Sequence, residues 1–170
     1  MEESKKTENE PEGFTLKLAL VDTIPVLEFG VTIIAVATKL KSALFSVGAA
    51  LSTLAGALKV LWKILIATKN KNIEVLTKQF KYLMSGGFAL MLAGVLKNRD
   101  RINFSKIAGR IFKLPTALFF GIGTAGMCAM GIMGKKLNKN NARHNWAEEI
   151  TNAVAQGFFM LGTLTALKKK

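Results

Sequence analysis

The chain has 170 residues, half of them hydrophobic, with 24 Lys+Arg against 11 Asp+Glu and a formal net charge of +13. That length fits one domain, and a single cysteine, Cys128, excludes an intrachain disulfide. A charge so positive ordinarily points to nucleic acid or an anionic surface. Here the basic residues fall in short groups between apolar runs, with no stacking aromatics beside them, so nucleic acid is not the expected partner.

Four uncharged runs set the class: Ser42–Leu58, Tyr82–Leu96, Leu114–Gly134 and Ile150–Leu167. Runs of this length, apolar on every side and bracketed by Lys or Arg, match the hydrocarbon thickness of a bilayer. The expected fold is all-α: a polytopic helical membrane bundle of about five hydrophobic helices, four clear spans plus a charged first segment, joined by short amphipathic interfacial connectors. The expected location is a membrane, crossed several times.

In chain order, residues 1–13 are polar and acidic and have the composition of a disordered tail. No cleavable signal peptide is expected there. Residues 14–170 form a single integral membrane domain, with segments at about 14–38, 42–67, 80–96, 114–134 and 147–167. The first segment is the least ordinary, since it holds Lys17, Asp22, Pro25 and Glu28. It is long enough to cross, or its first half lies at the interface and the chain bends near Pro25, whose ring removes a helical hydrogen bond.

The second segment is expected to run helically to Thr68. Lys59 and Lys63 share a face, one turn apart, and their stems can lie along apolar surface while the ammonium groups reach the headgroups. Trp62 sits at the depth where interfacial aromatics collect. Asn72–Phe80 then reads as a short surface helix before the third segment. Asn98–Lys113 places Phe104, Ala108 and Phe112 on one side and Lys106, Arg110 and Lys113 on the other, which is the pattern of an interfacial helix. Pro115 falls in the first turn of the fourth segment. Leu137–Asn145 is rich in Asn and reads as a turn, after which Trp146 marks the interface again.

Small residues recur every fourth position: Gly48, Ser52 and Gly56; Ser85, Ala89 and Ala93; Ala117, Gly121, Ala125 and Ala129. Such faces let helices approach closely in lipid, so these residues are expected to pack helix against helix. The run Gly121–Gly126 also satisfies G-x-G-x-x-G, but a dinucleotide site needs a strand before it, and this run lies inside an uncharged stretch. With five spans, Lys and Arg divide 13 to 11 between the two sides, so charge does not fix the orientation.

Asp22 and Glu28 are the leading candidates for function, with Pro25 between them. They are the acidic residues inside an apolar segment, and ionisable groups at such depth commonly mark ion paths, proton relays or substrate contacts. Six positions apart on a helix, they point to different sides unless Pro25 breaks it. Lys59, Trp62, Lys63 and Trp146 are the expected interfacial anchors. His144 stands alone, so no metal site and no cofactor are expected. No Ser–His–Asp set or zinc motif can be assembled, and an enzyme is not expected. The leading expectation is a small multi-pass protein acting as a non-enzymatic structural or accessory subunit. The alternative is a small carrier or channel using Asp22 and Glu28 near a Pro25 break. The expected partners are a bilayer with anionic headgroups, and either another membrane protein or further copies of the chain.

Overall fold

The computed structural model describes residues 15–69, 71–137 and 141–168. The expected tail at 1–13 lies outside them. Among the described residues the chain is all helix with no strand. A short α1 (Leu16–Val21) runs into α2 (Thr23–Leu40), followed by α3 (Ala43–Lys69), α4 (Glu74–Lys97), a 3-10 turn (Arg99–Arg101), α5 (Phe104–Ile111), α6 (Thr116–Lys136) and α7 (Ala142–Leu167). Five helical stretches are long and apolar enough to cross a membrane: Leu16–Leu40, Ala43–Lys69, Glu74–Lys97, Thr116–Lys136 and Arg143–Leu167.

The helices stand in a row, α4–α3–α2–α7–α6, with α2 between two hairpins. The α3–α4 and α6–α7 pairs are the most extensive contacts, and α1 and α2 touch both α3 and α7. The row follows from where the close approaches fall. A Cβ on Gly48 would come within 2.7 Å of the Met91 backbone nitrogen, and one on Gly94 within 2.6 Å of that of Phe45. Backbone therefore meets backbone along α3 and α4. Beside this seam Ile33, Phe45, Ala49 and Met91 form an apolar core, with Phe29, Val36 and Leu40 of α2 packed on it. The rings of Phe29 and Phe88 meet edge to face at 6.1 Å. Along α6 and α7, Phe119 faces Phe158 at 6.0 Å and Phe120 faces Phe159 at 6.1 Å.

Several expected boundaries are corrected. The surface helix at 72–80 is not separate: α4 starts at Glu74 and runs unbroken to Lys97, because nothing between Phe80 and Tyr82 interrupts the helical hydrogen bonding. The turn expected over 137–145 ends sooner. Asn141 caps α7 by accepting from the Arg143 N–H, so the helix gains a polar turn before Trp146. The break in the first segment falls at Asp22, between α1 and α2, while Pro25 lies buried in the first turn of α2, where a missing N–H matters least.

The small-residue faces divide. Gly48 and Ser52 lie against α4, and Gly56 meets Val26 of α2, where a Cβ would sit 3.1 Å away. On α6 the expected packing face is corrected: Gly121 and Ala125 are exposed, Ala117 and Ala129 are half-buried, and the helix meets α7 through Gly123 and Gly126. On α4, likewise, Ser85, Ala89 and Ala93 are exposed while Gly87, Met91 and Gly94 face α3. On both helices the buried face is the one where the neighbour comes closest: Phe45 and Ser52 of α3 against Gly94 and Gly87, and Ala155 and Phe159 of α7 against Gly126 and Gly123.

Candidate functional site: a buried ion cluster and a lone carboxyl

Three helices converge on Lys63. It is 3% exposed, Asp22 is 4% exposed and Glu149 is 8% exposed. The Lys63 Nζ lies 2.7 Å from Asp22 Oδ2 and also donates a hydrogen bond to Glu149 Oε1. Both carboxyl groups thus meet the same ammonium, and Lys59, one turn before Lys63, adds a second positive charge near Asp22. Two acids and two bases thus share one end of the bundle.

Each position follows from local structure. Asp22 is the hinge residue between α1 and α2, and its backbone N–H closes α1 on Leu18 and Leu20. The break aims its side chain at α3 rather than along the helix surface. Lys63 lies six residues before the end of α3, Asp22 six after the start of α1 and Glu149 seven after the start of α7. At 1.5 Å per residue all three sit about 10 Å in from the same end. Paired charges at equal depth satisfy one another where solvation fails.

The expected headgroup position of Lys63 is corrected: its ammonium turns inward, because two carboxylates at its own depth attract it more than the interface does. Lys59 is half-buried and lies over the Phe80 ring, 4.9 Å from its centroid. Trp62 donates from Nε1 to Asn72 Oδ1 at 2.9 Å, which ties the end of α3 to the loop before α4. Trp146 is half-buried on the first turns of α7, beside the buried Asn145.

Glu28 is not part of this cluster. It lies on α2, twelve residues from either end of the Leu16–Leu40 stretch. It faces a groove of about 330 Å³ lined by Ala153, Val154, Gly157, Phe158 and Leu161 of α7. Gly157 makes room for the carboxylate: a Cβ there would come within 2.9 Å of Glu28 Oε1. Glu28 Oε2 is shielded and accepts no hydrogen bond. The structure therefore sends Asp22 and Glu28 to different places, as their spacing predicts for an unbroken helix beyond Asp22.

Two members of the cluster escaped the sequence. Glu149 abuts the uncharged run that begins at Ile150 and follows Glu148, so it reads as an interfacial acid. Lys63 stands beside Trp62 and reads as a snorkelling cation. Equal depth was the available clue: an acid six residues inside one helix needs a cation at the same level on a neighbour.

Among the described residues no group of three or more His, Cys, Asp or Glu is placed to hold a metal. His144 is half-buried near the start of α7, and Cys128 is exposed on α6. Comparison with protein-family models, with curated proteins and with solved structures finds no match. The class therefore rests on the fold itself: a helical bundle with five stretches that, by length and composition, fit a multi-pass membrane protein.

Proposed function

We propose that the chain is a non-enzymatic structural or accessory subunit of a membrane assembly. The observation that supports this reading is the placement of Lys63 between Asp22 and Glu149. The charges inside the helices are used to join α1, α3 and α7, and a group locked between two partners is poorly suited to passing an ion along. A rigid bundle whose outer helices, α4 and α6, keep most of their apolar surface exposed suits a protein that lies among lipids and neighbours. Purification in mild detergent tests it. A partner, or a second copy, co-eluting at fixed stoichiometry is the expected result. A monomer that elutes alone from every detergent tried would remove it.

A second reading, a small carrier or channel, is favoured by one observation, the unpartnered Glu28 oxygen halfway along its helix. Asp22, which meets Lys63, lends that reading less support than Glu28 does. Flux through proteoliposomes that disappears in Glu28→Gln, with folding intact, is the expected result. Equal flux in wild type and variant would exclude it.

A further inference from the structure

Glu28 presents a problem of charge. One oxygen lies against Gly157, and the other is shielded with no donor in reach. The groove walls are hydrocarbon: Ala153, Val154, Phe158 and Leu161 supply neither a donor nor a charge. The hydroxyl one turn on, at Thr32, donates to the Glu28 backbone carbonyl at 2.8 Å and not to the carboxylate. The titratable groups on the elements packed against α2 are Lys17 on α1, Lys59, Lys63 and Lys69 on α3, Glu74, Lys78, Lys81, Tyr82 and Lys97 on α4, and Arg143, His144, Glu148 and Glu149 on α7. None of them lines the groove.

An ionised carboxylate without a donor at mid-membrane depth is among the costliest arrangements a helix can carry. A metal cation does not relieve it, because one carboxylate among methyl groups and rings offers far too few oxygen ligands. A proton does, since the carboxylic acid is uncharged and its bulk fits the space that Gly157 leaves. The groove opens outward between α2 and α7, past the exposed Val154 and Leu161, midway along two helices long and apolar enough to cross a membrane.

We propose that Glu28 is a proton-binding site at the middle of the membrane, reached from the lipid side through the α2–α7 groove. This deepens the carrier reading, on which its use in transport rests, by naming the proton as the species taken.

A lipid-soluble carbodiimide tests the site on the full chain in lipid nanodiscs. The carboxylic acid O–H adds across one C=N bond of dicyclohexylcarbodiimide: oxygen bonds to the central carbon and the proton moves to nitrogen. The acyl group then migrates to nitrogen, giving a stable N-acylurea with no leaving group. The expected result is one adduct on the peptide containing Glu28, weaker as pH rises and absent in Glu28→Gln. A water-soluble, permanently charged carbodiimide should leave Glu28 unlabelled. As a second measurement, one component of the infrared C=O band of protonated carboxyls should be lost in Glu28→Gln and kept in Glu149→Gln, with elution volume and helicity unchanged.

No Glu28 adduct at acidic pH, an adduct from the charged reagent alone, or a protonated-carboxyl band unchanged in Glu28→Gln would overturn the proposal. The two claims fail separately. Labelled protein without proton-dependent flux removes the carrier and leaves the site, while flux with an unlabelled Glu28 removes the site.

Discussion

The Lys63 ammonium lies 2.7 Å from the Asp22 carboxylate, across the boundary between the first segment and α3 and out of reach of water. Glu149 completes the contact from α7. One lysine therefore fastens three helices whose apolar surfaces alone have no strong preference for each other over lipid.

Removing that lysine leaves two acids facing each other in the interior. Breaking one side of a buried ion pair costs about 3–5 kcal/mol, because the surviving charge has no partner. Lys63→Met should lower stability by that order, read as an earlier unfolding midpoint on titration with a denaturing detergent. Replacing the whole group, Asp22→Asn with Lys63→Met and Glu149→Gln, should recover most of the loss, since the uncompensated charges go with it. A triple variant as unstable as the single one would show that the lysine acts through packing instead.

Gly86 and Gly87 are neighbours with opposite expected responses. A Cβ on Gly87 would come within 2.7 Å of the Gly48 carbonyl oxygen, whereas one on Gly86 meets nothing within 4 Å. Gly87→Ala should destabilise the α3–α4 hairpin by about 1–3 kcal/mol through overpacking. Gly86→Ala should stabilise it by about 0.5–1 kcal/mol, the difference in helical propensity. The same detergent titration reads both.

The same contrast holds on α6. A Cβ on Gly126 would sit 2.7 Å from that of Ala155, and one on Gly121 meets nothing within 4 Å. Gly126→Ala should weaken the α6–α7 pair, and Gly121→Ala should stabilise α6 slightly, as Gly86→Ala does α4. A loss of stability confined to Gly121→Ala would restore the face that the four-residue spacing suggests.

Crossing the membrane with all five candidate stretches would fix which loops share a side. In a Cys128→Ser background, cysteines at Thr15, Lys71 and Asn141 should react together with an impermeant maleimide from one side of sealed vesicles. Cysteines at Lys41, Ile102 and Lys168 should react from the other. Thr15 appearing with Lys41 would mean that the first segment enters and returns.

Much of this architecture is legible in the sequence. Uncharged runs bounded by Lys and Arg mark the long helices, because lipid tolerates little else over that length. Asp22 and Glu28 stand out for the same reason. What stays hidden is direction. Lys63 looks the same whether its stem leads outward to headgroups or inward to carboxylates, since both need an apolar path, and the choice depends on what another helix holds at that depth. The face of α6 is hidden differently: glycines at 121, 123, 126, 131 and 134 leave nearly every side smooth, and only the position of Phe159 and Ala155 on α7 selects one. Glu149 is masked by its polar neighbours, because a helix cap at Asn141 moves the start of α7 two turns earlier than its apolar run implies.

Asp22 leaves the ribosome well ahead of Lys63, and Glu149 comes after most of the chain has been made. During that interval the opening segment holds a carboxylate whose counter-ion does not yet exist, and the lipid resists its full entry. The carboxylate of the first segment thus gains its counter-ion only once the third helix is made, and the cluster is complete only once the last one is.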